Sequence, residues 1–208
     1  MKKVFVINGG QHFAHSGGKF NHTIVAWDKQ FFTAENGFEL KTTDINDDYD
    51  LAEEVEKFVW ADVVIYHTPV WWFSMPHKFK QYIDTVFTAG HRKGFYYSDG
   101  RKSDNPERNY GTGGSLQGRN YMLTTSWNAP ETAFTLENEF FNQTSVDDGV
   151  MFGFHRMNAF TGMEKMDSFH FHDLEKNGSP ERIENYRQTY LTHLDNAFTN
   201  ALKPETVL

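Results

Sequence analysis

The run Ala61-Asp62-Val63-Val64-Ile65-Tyr66, followed closely by Pro69-Val70-Trp71-Trp72-Phe73-Ser74-Met75-Pro76, decides the fold of this chain. The first six residues read as a buried strand, and Pro69 stops it by removing a backbone donor and restricting the residue before it. Beyond the turn, Phe79, Tyr82, Ile83, Val86 and Phe87 recur at i, i+3, i+4, i+7 and i+8, the pattern of a core-facing helix over 78–87. Three consecutive aromatics therefore sit on a strand-to-helix loop. In an open α/β sheet such loops lie outside the carboxyl ends of the strands, where ligands bind, and aromatic walls there suit a flat ring system. The competing reading is a hydrophobic plug over the core.

Outward from this unit, strand and helix signals alternate, which predicts a parallel sheet. Strand one is 3–8, helix one 19–36 with Phe20, Ile24, Trp27 and Phe31 on one face, and Gly37 is placed to end it. Strand two is 37–43. Helix two carries Leu51, Val55, Phe58 and Val59, strand three is 61–66, strand four 120–125, and a fifth strand falls in 166–171. A last helix over 180–200 opens with Pro and Glu and buries Ile183, Tyr186, Tyr190, Leu191, Leu194 and Phe198. The result is an α/β fold with a doubly wound five-stranded parallel sheet in the order 2-1-3-4-5, of flavodoxin-like type, and about five helices. A long arm over 88–119 links helix three to strand four, and its Phe95, Tyr96, Tyr97 and Tyr110 predict order rather than disorder. The segment 130–162, with Phe134, Phe140, Phe141, Phe152 and Phe154, reads as helical padding or a subunit contact.

With 208 residues the chain has the length of one domain, 1–208. Its net charge of -8 and lack of a local Lys/Arg cluster argue against nucleic acid as a partner. The absence of Cys removes disulfides, thiolate nucleophiles and Cys-ligated metals. The apolar start Val4-Phe5-Val6-Ile7 ends at Asn8-Gly9-Gly10, short of a signal peptide, and no segment approaches a membrane span, so the expectation is a soluble cytoplasmic protein without stable membrane insertion. Aromatics at 16% exceed what one core hides easily, which predicts a homodimer with a shared site.

In the 2-1-3-4-5 order a crevice opens between strands one and three. The first loop, Gly9-Gly10-Gln11-His12-Phe13-Ala14-His15-Ser16-Gly17-Gly18-Lys19-Phe20-Asn21, brings backbone N–H groups, a hydroxyl and imidazoles to the start of helix one, a ready anion site. Its bland alternative is Ser16 as an ordinary N-cap. The third loop, Thr124-Thr125-Ser126-Trp127-Asn128-Ala129-Pro130, reaches the same rim. A phosphate end, an aromatic wall and an amide-rich floor suit a flavin. Gly111-Thr112-Gly113-Gly114 lacks a preceding strand and is no dinucleotide motif, and no Walker pattern is present. His170 and His172, near Asp173, read as solvent-facing histidines at a strand end, with no metal.

Several collinear motifs carry a resemblance. Ala14-His15-Ser16 with Phe20-Asn21, then Pro69-x-Trp71-Trp72-Phe73-x-x-Pro76-x-x-x-Lys80-x-x-Ile83-Asp84-x-Val86-Phe87, then Thr124-Thr125, resemble the flavodoxin-like NAD(P)H:quinone reductase family. Phe13-Ala14-His15-Ser16, Trp60-Ala61-Asp62-Val63-Val64, Tyr97-x-Asp99-Gly100-Arg101, Tyr110-Gly111-x-Gly113-Gly114 and Trp127-Asn128-Ala129-Pro130 are similar to its bacterial modulator of drug activity B branch.

The resemblance implies an FAD-dependent homodimer that takes hydride from NADPH or NADH and delivers two electrons to a quinone. Carried over, His15, Ser16, Gly18, Lys19, Phe20, Asn21 and Thr23 would hold the diphosphate and adenosine side. Pro69, Val70, Trp71 and Trp72 would wall the ring, and Ser126, Trp127, Asn128 and Ala129 would meet its edge. Tyr110, Trp127 and Asn128 are the candidate catalytic residues, with Tyr110 approaching from the partner subunit. The family's glycines after Thr-Thr, and the Tyr and His that follow them, are replaced here by Ser126-Trp127-Asn128-Ala129-Pro130, so Tyr110, Glu131 or solvent is left to supply the proton. A ring walled on one side leaves one face for both substrates in turn, hence ping-pong kinetics. The alternatives are an FMN-dependent azo or nitro reductase of the same fold, and a regulatory interaction subunit of a membrane transporter.

Overall fold

The computed structural model describes residues 1–13 and 16–200. Strands β1 (Lys2–Asn8), β2 (Phe38–Asp44), β3 (Val63–Pro69) and β4 (Asn120–Ser126) are all parallel and ordered β2-β1-β3-β4, with β5 (Glu164–Lys165) and β6 (Phe169–Phe171) both pairing with β4. This is the doubly wound order expected from the alternation of signals. Helices α1 (Lys19–Phe31) and α6 (Pro180–Asn200) pack on one face, where Val4, Val6, Val63, Ile65 and Met122 meet Ile24, Trp27, Tyr190, Leu194 and Phe198. Helices α2 (Leu51–Trp60) and α3 (His77–Ala89) cover the other, where Phe5, Ile7, Val64 and Tyr66 meet Val55, Phe58, Phe79 and Ile83. Both faces of the parallel sheet are therefore buried, so its strands are apolar on both sides.

Two expectations are corrected, and the helical reading of 130–162 holds. Helix one ends at Phe31, not Asn36, because Asn36 donates its side-chain amide to the Phe31 carbonyl at 2.8 Å and turns the chain, with Gly37 at φ 85. The fifth strand is split: Lys165 registers with Tyr121 but Phe169 with Thr124, so three residues of the edge face two of β4 and the ladder breaks over 166–168. The segment 130–162 holds two helices, α4 (Thr132–Thr135) and α5 (Phe152–Thr161), which bury Phe134 and Phe154, while Phe140 and Phe152 stay exposed.

The arm over 88–119 is ordered. Phe95 is fully buried, 5.0 Å from the Phe58 ring and 5.2 Å from Phe87, a packing that stabilises by roughly 1.5–3 kcal/mol. Gly90 permits this contact, since a Cβ there would lie 2.4 Å from the Phe95 ring. Tyr97 and Tyr110, by contrast, face solvent.

Candidate functional site

The carboxyl ends of β1, β3 and β4 open on a cleft of about 480 Å³, lined by 16–21, 69–71 and 126–128, with Leu174 and Glu175 completing the rim. The three loops marked in the sequence are thus brought together; the 174–175 contribution is new.

At the polar end, the residue before α1 is Gly18, left-handed at φ 64, and not Ser16, so the helix has no side-chain N-cap. Among the described residues no side chain accepts from the Lys19, Phe20 or Asn21 N–H. A Cβ on Gly18 would lie 3.2 Å from the Gln11 carbonyl, and one on Gly10 would lie 2.6 Å from Cβ of Asn21. These glycines let the loop close on Asn21, which is 2% exposed. Its Nδ2 has no partner among the described residues, although Asn21 lines the cleft. A buried amide donor left open beside a positive helix end is suited to an anion.

At the other end, Trp71 and Ser74 exchange both backbone hydrogen bonds, at 2.9 and 3.1 Å, around a two-residue turn. Its central residues, Trp72 and Phe73, have φ 47 and φ 60. Such turns favour Asn-Gly, and each bulky residue in this conformation costs about 1–2 kcal/mol. Trp72 is 94% exposed, so the plug reading is overturned: the turn holds an aromatic side chain out of the core under strain. Phe73 stacks on Phe140 at 5.4 Å. Both line a second hollow of about 390 Å³ that shares Val70, Trp127 and Asn128 with the cleft.

Trp127 is buried, its ring edge-on to Phe134 at 5.0 Å and its indole N–H donated to Thr125 Oγ1 at 2.7 Å. It is therefore placed as a wall, with its polar atom already engaged. His170 and His172 are not solvent-facing: their edge is covered, His172 being 8% exposed and stacked beside Trp127 at 6.4 Å. Burial, with the nearby His170, lowers the His172 pKa and favours the neutral ring. Among the described residues no group of acidic and histidine side chains could hold a metal.

Of the other candidates, Ser16, Gly18, Lys19, Phe20, Pro69, Val70, Trp71, Ser126 and Asn128 line the cleft. Trp72 and Ala129 line the adjoining hollow instead. Thr23 does not line the cleft and returns its hydroxyl to the Lys19 carbonyl at 3.1 Å. Tyr110 does not reach the cleft of its own chain; it lies in a separate groove, 5.9 Å from the Phe160 ring. His15 lies outside the described residues. Sequence reading also missed a half-buried array around Asp147, whose carboxylate accepts from His155 at 2.9 Å and Lys165 at 2.5 Å.

A model of the flavodoxin-like fold family matches residues 2–194. The chain is 44% identical over 195 residues to the NADPH:quinone oxidoreductase MdaB of Haemophilus influenzae, covering 94% of this chain and 98% of that protein. It is 42% identical to an uncharacterized protein of Schizosaccharomyces pombe, covering 96% and 98%. Among solved structures, a candidate quinone reductase from Klebsiella pneumoniae superposes with a TM-score of 0.71 at 22% identity, over 94% of this chain and 85% of that one. General stress protein 14 of Treponema denticola, solved with FMN, gives 0.65 at 20% identity, over 95% and 99%. The two structures share the fold. The chain belongs to the flavodoxin-like family and, within it, to the group that contains the Haemophilus quinone oxidoreductase.

Proposed function

We propose that this chain is a single-domain NAD(P)H:quinone oxidoreductase that works with bound FAD. The observation that carries the reading is the Asn21 Nδ2, without a partner among the described residues, buried at the open end of α1 and lining the same cleft that Trp71 and Trp127 wall. The residues present fit a flavin. Ser16, Gly18, Lys19, Phe20 and Asn21 would hold the phosphate side, Pro69, Val70 and Trp71 would flank the ring, and Ser126, Trp127 and Asn128 would meet its polar edge. FAD is favoured over FMN because Leu174 and Glu175 also line a neighbouring hollow of about 700 Å³ at the start of α6, room for an adenosine.

Bound there, a flavin would supply two-electron redox chemistry between NADPH or NADH and a quinone. The chain's own residues bind, orient and exclude water. The strained turn at Trp72 and Phe73 would present an apolar wall to a flat acceptor, and one open face used by both substrates in turn gives ping-pong kinetics. The 44% identity to a protein named as a quinone oxidoreductase supports the acceptor class. Tyr110, 72% exposed and away from its own cleft, would serve the site of a second subunit, which supports a homodimer. No described helix is long and apolar enough to cross a membrane.

The test is the visible spectrum of the purified protein and the identity of the cofactor it releases. The expected result is a yellow protein that releases FAD. Release of FMN alone would move the assignment to an azo or nitro reductase type, and a colourless protein that binds no added FAD would end the flavin reading. Initial-rate lines against NAD(P)H at several quinone concentrations are expected to be parallel; intersecting lines would reject the shared face.

A further inference from the structure

Thr124 and Thr125 are adjacent on β4, so their side chains fall on opposite faces of the sheet, and each meets a histidine of the neighbouring strand. Thr124 Oγ1 lies 2.7 Å from Nδ1 of His67, whose Nε2 is 2.5 Å from Asp28. All three are fully buried, and Tyr190 closes the set by donating to Asp28 at 2.8 Å. That array ends in the core.

The array on the other face does not. Thr125 Oγ1 lies 2.7 Å from Nδ1 of His170 and accepts the Trp127 indole N–H at 2.7 Å. An indole can only donate, so the Thr125 oxygen is the acceptor and its own proton is available to His170. Nε2 of His170 stands 3.4 Å from Asp147, which also accepts from His155 and Lys165. His155 in turn meets the Tyr121 hydroxyl at 2.9 Å. Trp127 walls both the cleft and the adjoining hollow. Asp147 belongs to the stretch between α4 and α5 that carries Phe140 and Phe141, which also line that hollow, Phe141 lying edge-on to Trp127 at 6.0 Å. Two hydrogen bonds and one charge contact therefore link Trp127 to the segment that bears its aromatic neighbours.

We propose that Thr125 and His170 are positioning residues: through the chain Trp127–Thr125–His170–Asp147 they fix the Trp127 indole and so the spacing of the walls against a flat ring. Neither residue lines the cleft, and both act through Trp127. The inference rests on the flavin reading of the cleft for its functional consequence, but its structural half has a separate readout.

That readout is hydrogen exchange at the Trp127 indole N–H in ¹⁵N-labelled protein, with Trp127→Phe assigning the signal. Thr125→Val keeps the shape and removes the hydroxyl. The expected result is exchange of that one proton at least about tenfold faster and FAD affinity about tenfold weaker, with Thr125→Ser restoring both. His170→Phe moves both in the same direction by less, because Thr125 can still accept from the indole. Thr124→Val breaks the fully buried array on the opposite face; it lowers the melting temperature and leaves the Trp127 proton unmoved. Exchange as slow in Thr125→Val as in the unaltered protein would overturn the proposal, as would an equal acceleration in Thr124→Val. Should Thr125→Val not fold, His170→Phe against His170→Asn gives the same comparison. A Trp127 proton that responds as expected in a protein that takes up no FAD would leave the brace standing and remove the flavin reading.

Discussion

Helices α1 and α3, each of 13 residues, follow the carboxyl ends of adjacent strands on opposite faces of the sheet, and among the described residues neither receives a cap from its own N-cap residue, Gly18 or Pro76. They differ in what happens next. The first turn of α3 is satisfied from the neighbouring loop: Gln11, 4% exposed, accepts the Lys78 N–H at 3.0 Å and contacts His77 at 3.2 Å. Among its described residues, that same loop leaves its own helix, α1, open, with the Asn21 amide unpartnered beside it. A capping side chain is present at the rim and is directed to one helix only. Since uncapped donors are costly when buried and useful when a ligand accepts from them, the asymmetry separates the two ends of the cleft. The α1 end is built for charge. The α3 end, where Trp72 and Phe73 sit in a strained turn, is built for a ring.

Gly10→Ala attacks the charged end most directly. The new Cβ would lie 2.6 Å from Cβ of Asn21 and 3.1 Å from the Asn8 side chain, so Asn21 must move. Overpacking of this kind costs about 1–3 kcal/mol, and flavin is expected to be absent from the purified variant. A folded variant that retains full flavin would break the comparison, because the geometry at Asn21 would then be immaterial to binding.

Asn21→Asp is the more selective change. It keeps the shape, removes the open donor and places a carboxylate where an anion is expected. A hydrogen bond to a charged group contributes about 1.5–3 kcal/mol, so FAD affinity should fall by roughly 100-fold in a fluorescence titration. If Asn21→Asp binds FAD as the unaltered chain does, the phosphate lies elsewhere.

The α1 loop and the β3–α3 unit were legible in the sequence because each rests on local signals: glycines before a helix, and a six-residue apolar run ending at Pro69. The 2-1-3-4-5 order followed from alternation alone. What could not be read was non-local. The break over 166–168 depends on how β4 registers with its edge partner, and periodicity within 166–171 carries no record of that. His170 and His172 looked like solvent-facing residues because strand alternation does not reveal what covers the edge. The strain at Trp72 was hidden because Trp-Phe has no preference for positive φ; only the paired bonds between Trp71 and Ser74 impose it.

That strain sharpens the contrast between the two ends. Trp72→Gly relieves a left-handed bulky residue and is expected to raise stability by about 1 kcal/mol, while quinone turnover falls several-fold for lack of the wall. Melting temperature and kcat/KM measured on one preparation check both halves. A variant that loses stability and turnover together would make the turn a packing element and remove its functional reading.

The effect most remote from the cleft concerns Asp147, at the far end of the brace behind the aromatic wall. Burial alone would raise its carboxyl, but the hydrogen bonds from His155, His170 and Lys165 outweigh burial and hold it charged well below the usual carboxylate range. A carboxyl whose folded pKa is depressed contributes stability that is present above its unfolded value, about 4, and is lost as pH falls from there toward the folded value. Asp147→Asn cannot carry that contribution. At pH 7 it should therefore be less stable than the unaltered chain by about 1–3 kcal/mol, and the difference should shrink as pH falls below about 4. Urea midpoints at pH 7 and pH 3.5 measure it. A difference that stays constant or grows in acid would mean that Asp147 is held by shape and not by charge, and the wall behind Trp127 would then rest on packing with Phe134 and Phe141 alone.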